Sequence, residues 1–208
     1  MHPRIKKILA LMAPLCGAVA LTAFGGYIPS AAAEQPAAAV RDGSYDFDFL
    51  KGIWLMHNRR LKQRLAGSHE WAEFDSTDEN RPLPGGLGNE DVFRTDFFKK
   101  GFVGLTVRIY DPATGLWSLY WSDNIGYGSL NPPQVGKFDG NVGIFDCHDT
   151  FNGKPVIVRY IWTILDKDAK DGKIVAHFEQ SFSPDDGKTW EVNFTNDLIR
   201  TGDGSASW

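Results

Sequence analysis

The chain has 208 residues, a formal charge of −4 and 42% hydrophobic residues, 13% of the total being aromatic. That is the profile of one globular domain able to bury its own core, and its acidic balance argues against nucleic acid or an anionic membrane surface as partner. Two cysteines, Cys16 and Cys147, leave no room for a disulfide framework.

In chain order, MHPRIKK supplies a basic start, ILALMAPLCGAVALTAFGGYIPS an apolar run without charge, and Ala31-Ala32-Ala33 a small-residue site. These are the three parts of a secretory signal peptide, read over 1–33. An uncleaved anchor is the competing reading, but Pro14, Gly17, Gly25 and Gly26 make a poor spanning helix. Bulky Leu15 before Cys16 speaks against lipidation. Cleavage leaves about 175 residues, moves the formal charge to about −7 and retains only Cys147, so the core must hold by packing alone. The expected destination is the periplasm or the cell exterior. Residues 34–44, EQPAAAVRDGS, read as a flexible linker, and 201–208 as a disordered tail.

From Phe49 onward, helical periodicity is nearly absent and alternating stretches rich in Val, Ile, Trp, Tyr and Phe are separated by Gly, Asp, Asn and Pro. The clearest strands are 102–110, 117–123, 142–150, 156–165, 173–182 and 189–200; others are expected at 52–62, 70–80, 89–97 and 134–138. Asp139-Gly140 and Asn152-Gly153 suit two-residue hairpin turns, and DPATG, with Pro112 and Gly115, suits a type I turn closed by a left-handed residue. Strands joined so tightly are antiparallel neighbours. The chain is therefore expected to be all-β, a single antiparallel up-and-down barrel of about eight to ten strands over 45–200, since closure removes exposed edges.

SPDDGKTW, 183–190, fits the S-x-D-x-G-x-T-W pattern of sialidase Asp-boxes. A propeller would repeat it at a regular period; here it occurs once. It reads as a hairpin device: Ser183 and Asp185 bond backbone N–H groups, Gly187 takes the left-handed position and Trp190 packs back across the turn.

FDFLKGIW, 47–54, resembles the F-x-x-L-x-G-x-W opening of calycin-superfamily barrels, which include lipocalins, fatty-acid-binding proteins and nitrobindins. PLPGGLGN, YDPATGLWSLYWSDN, DTFNGKPV and FEQSFSPDDGKTW resemble a group of bacterial lipocalin-like secreted proteins, a likeness covering roughly 45–200. It implies a cupped barrel with a pocket for a small, largely apolar molecule. Departures limit the transfer. Only RLKQRLAGSH separates the first two strands, too short for the helical lid of fatty-acid-binding proteins. Their Arg-x-Tyr clamp has no counterpart beyond Arg200. The nitrobindin haem histidine has only His177 near its place, one strand early.

Candidate ligand-binding residues are Trp54, Glu73, Arg108, Trp121, Arg159 and Glu179, which would fix the polar end of an aromatic or acyl ligand if they converge. The competing reading puts the charged ones on the solvated outer face or in structural ion pairs, and the tryptophans in the core. No catalytic residue is assigned, although Glu73, Glu179, Asp149 or His177 could serve as an acid or base. In DCHD, 146–149, Cys147 and His148 point to opposite faces, and no His spacing announces a metal; neither metal nor cofactor is expected. HNRRLKQR, 57–64, could attract an anion near the mouth or form the wet end of a strand.

Together these features point to an exported barrel that carries or senses a small apolar or aromatic ligand, with no nucleic acid and no stable membrane insertion. The alternatives are a barrel hydrolase, isomerase or cyclase acting on a lipophilic metabolite, a haem-binding nitrobindin-like protein, and a filled scaffold for protein contacts. A strongly shifted carboxyl or imidazole inside the cavity would favour the enzyme.

Overall fold

A computed structural model describes residues 42–126 and 128–204. The expected leader and the last residues of the expected tail lie outside them. Ten strands run β1 Gly52–Leu61, β2 Trp71–Pro82, β3 Gly88–Thr95, β4 Phe102–Asp111, β5 Leu116–Asp123, β6 Gln134–Asp139, β7 Val142–Phe151, β8 Lys154–Ile164, β9 Ile174–Ser183 and β10 Glu191–Gly202. Each pairs antiparallel with the next, and β10 pairs with β1 to close the barrel. The expected fold class is the one observed.

The strand ends differ from the expected ones by a few residues, for local reasons. The third strand stops at Thr95, and Phe97 stacks on Phe74 at 3.9 Å instead of entering the ladder. The last begins at Glu191 because Asp185 captures both the N–H and the hydroxyl of Thr189 at 2.8 and 2.7 Å. It then runs through Gly202, past the expected end of the domain. Asp139 pairs with Val142, so the tight turn is Gly140-Asn141, one residue later than expected. With φ +59° at Gly140 alone, it belongs to the type that wants glycine first. Asn152 and Gly153 both have positive φ, as expected for the mirror-image type I turn.

SPDDGKTW closes the β9–β10 hairpin as its residues dictate. Ser183 Oγ donates to Asp185 at 2.9 Å and accepts from Gly187 N–H at 2.8 Å, and Trp190 Nε1 donates to the Gly187 carbonyl at 3.1 Å. The loop between β1 and β2 contains no helix.

One end of the barrel is plugged by residues 43–50, two short 3₁₀ turns. Phe47, 1% exposed, sits at the centre of a ring cluster, its centroid 5.0 Å from Trp117 and Phe138, 5.5 Å from Phe145 and 6.0 Å from Trp162. Arg200 from β10 latches the plug. Its guanidinium donates to the carbonyls of Phe49, at 2.7 Å, and Lys51, and lies 4.3 Å over the Trp54 ring. Trp54 Nε1 donates to the Leu50 carbonyl at 2.6 Å. Among the described residues no comparable segment plugs the opposite end, which holds a cavity.

Candidate functional site

Alternation decides which residues see the lumen. On β4 the inward set is Phe102, Gly104, Thr106 and Arg108; on β5 it is Trp117, Leu119, Trp121 and Asp123; on β8 it is Val156, Val158, Tyr160 and Trp162. Aromatic bulk near the plug fills the closed half. The open half keeps a cavity of about 450 Å³. Its walls combine polar and charged side chains with many rings, Phe93, Phe98, Phe102, Trp121, Tyr160, Phe178, Phe182 and Phe194 among them. Gly104 makes room for one of these, since a Cβ there would lie 2.2 Å from the Trp121 ring.

Three charged side chains reach the same lumen from adjacent strands: Asp78 on β2, Asp91 on β3 and Arg108 on β4, each 4% exposed or less. The Arg108 Nη2 nitrogen lies 2.5 Å from Asp91 Oδ2, and Nη1 donates to Asn89 Oδ1 at 3.0 Å, which also accepts from Asn80 at 3.1 Å. The guanidinium is sandwiched 5.2 Å from Phe47 and 5.5 Å from Trp162, so the plug and the polar group share one support. Among the described residues Asp78 has no hydrogen-bond partner. Burial, then the negative charge of Asp91, hold its carboxyl well above the usual range, because an unpaired charge in an apolar lumen is costly. The site thus offers a committed ion pair and a carboxyl biased toward its neutral form, able to donate as well as accept.

At the mouth, Arg60 lies 5.7 Å over Phe98, and Arg64 4.6 Å over Phe151 and 5.2 Å over Phe182. Burial and the neighbouring charge of Arg60 lower Arg64 to about 10. Asp123 and Asp149 complete the charged rim. Of the basic run 57–64, Arg60 and Arg64 therefore face the lumen and Arg59 the outside, where it meets Glu73 at 3.2 Å.

Of the six candidate residues, Arg108 and Trp121 line the cavity. The other four stand elsewhere. Trp54 is 1% exposed under the plug, its indole committed to Leu50 and Arg200. Glu73 is an exposed partner of Arg59. Arg159 forms a two-pronged pair with Asp146 at 2.8 and 2.7 Å and covers the Trp190 ring at 4.0 Å on the outer face. Glu179 is also outside, 3.3 Å from His177, whose other nitrogen meets Asp197 at 2.5 Å. The reason is parity: Arg159 is one residue off the Val158/Tyr160 row and Glu179 one off the Phe178/Gln180 row.

Asp78 and Asp91 are the residues that sequence reading missed. Each lies in a strand of low hydrophobicity, EFDSTDENRP and NEDVFR, where nothing marks one acid among several as buried. The usable signal was alternation counted from Phe93, which puts Asp91 and Asn89 on its face. Among the described residues no histidine lines the cavity, and the imidazole nearest a nitrobindin-like position points away from the lumen. Cys147 does face inward, accepting from Gln134 Nε2 at 3.3 Å, with burial raising its thiol; His148 faces out. Comparison with protein-family models and with curated proteins finds no match for this chain.

Proposed function

We propose that this chain is an exported, calycin-like barrel that binds a small apolar or aromatic molecule in its open half, as a carrier or sensor. The observation that carries the reading is the cavity itself, about 450 Å³ with many rings in its walls and a polar group at its inner end. Pockets of this size hold small organic molecules, the rings supplying burial and the polar groups fixing orientation. The leader-like first 33 residues and the G-x-W opening of the first strand support export and the superfamily.

A second reading has one observation behind it. Asp78 is a shifted carboxyl inside the cavity, the feature that favours a barrel enzyme using it as an acid. The same carboxyl also serves pure binding.

The test is to express the full chain with its own leader in a bacterial host, purify it gently from the periplasm, and record a native mass spectrum and an absorption spectrum. A copurified mass of a few hundred daltons, released by denaturation, is the expected result. An empty barrel that takes up none of a panel of aromatic probes would overturn the reading, as would retention in the cytoplasm for the export part. Conversion of a bound probe, abolished in Asp78→Asn, would establish the enzyme instead.

A further inference from the structure

Resting on the proposed binding role, the charge inventory of the cavity narrows the class of molecule. Among the described residues four aspartates and three arginines line it, with no lysine, glutamate or histidine. At the inner end two carboxyls, Asp78 and Asp91, lie near one guanidinium, that of Arg108, which is engaged by Asp91 and Asn89. Asp78 is 4% exposed and has no partner among the described residues. Two further acceptors on the lining, Gln134 Oε1 and Asn196 Oδ1, are buried and unpaired. The buried unpaired donors on the lining, Arg108 Nε and Trp162 Nε1, belong to side chains packed against each other and against Phe47, at the end remote from the mouth, where Arg60 and Arg64 stand.

We propose that the bound molecule is an organic cation, an ammonium group on an apolar or aromatic body, with Asp78 as its counter-ion. An ammonium supplies the single positive charge the inner end lacks and donors for its orphan acceptors, and the surrounding ring faces attract it further. A carboxylate would face Asp78 and Asp91 with Arg108, the only deep cation among the described residues, already committed, so a fatty acid is a poor fit. The proton balance is simple: as the ammonium arrives, the proton on the Asp78 carboxyl leaves to solvent and no covalent bond changes. The charged groups acting on Asp78 are Asp91 and Arg108 inside the lumen, with Arg94 and Glu79 acting from the outer face.

The test uses three isosteric probes, naphthylethylamine, naphthylethanol and naphthylacetate, titrated into the full-length protein by calorimetry at pH 6 in two buffers of different ionisation enthalpy. The amine is expected to bind at least about tenfold more tightly than the alcohol, with proton release, and the acetate most weakly. In Asp78→Asn, whose fold is checked by circular dichroism, the amine preference and the proton release should vanish while alcohol binding persists. Equal or tighter binding of the alcohol would overturn the cation and leave a cavity that donates from Asp78 to a neutral acceptor. Tightest binding of the acetate would hand selection to the mouth arginines and overturn it too. Failure of all three, with no copurified ligand, would remove the binding role and this inference together.

Discussion

Asp78 and Asp91 sit on neighbouring strands and enter the same lumen, yet their surroundings separate their roles. Arg108 compensates Asp91 directly, whereas at Asp78 burial and the like charge of Asp91 outweigh the pull of Arg108 and Arg94. A folded-state pKa above the unfolded value means that the native protein holds this proton to higher pH than the unfolded chain does. The favourable contribution is therefore complete below the unfolded value and is lost as pH rises through the folded one, at up to about 1.4 kcal/mol per pH unit. Asp78→Asn keeps the shape and removes the titration. Its melting temperature should exceed the parent's at pH 8 and approach it near pH 4; no pH dependence in that difference would refute the buried-carboxyl account. Gly104 makes a different residue-scale case. Gly104→Val would drive a side chain into the Trp121 ring, so a blue or red shift of tryptophan emission with lowered probe affinity is expected, since that ring must swing into the cavity.

At the scale of elements, the plug and its latch decide that the barrel is a cup and not a tube. Phe47 is fully enclosed by rings from four strands, and Phe47→Ala should cost roughly 3 to 5 kcal/mol in urea unfolding. Arg200→Met keeps the stem packing but removes two charge-assisted bonds to plug carbonyls, an expected loss of about 2 kcal/mol. Amide exchange over 43–50 should quicken in that variant ahead of exchange in β4 and β8; uniform acceleration would mean that the plug is not a separate unit. This latch joins residues 151 and 149 positions apart in the chain, which is why Arg200 read only as a failed fatty-acid clamp. The SPDDGKTW hairpin was legible because its bonds are local, all within four residues.

For the whole molecule, ten antiparallel strands in sequential order bring β10 onto β1 and leave no sheet edge. The weakest seam is β5 with β6, paired only over Trp117–Leu119 and Gln134–Gly136. The upper part of β5, with Trp121 and Asp123, therefore borders the cavity without a ladder partner on that side. Thr106 stands opposite, buried on the inward row of β4. Thr106→Trp should fill the open half, abolish copurified ligand and leave the far-ultraviolet spectrum unchanged, because the lumen there is void and not packed. Retention of full ligand occupancy in that variant would place binding outside the barrel.

The class, a barrel of about eight to ten strands, and the strand ends to within two residues were legible in the sequence, because alternation and turn chemistry act over a few residues. It also determined which residues share a face: Gly104, Thr106 and Arg108, or Phe178, Gln180 and Phe182, were readable as rows. Which row faces in was settled by closure of the barrel. A period of two carries no sign, and the sign is set when closure commits one face of every strand to the lumen. That choice put Arg108 and Trp121 at the cavity, sent Glu73, Arg159 and Glu179 outside, and turned Trp54 into a support for the plug. It also gathered Asp78 and Asp91, two acids among many in the chain, around a guanidinium that can neutralise only one of them.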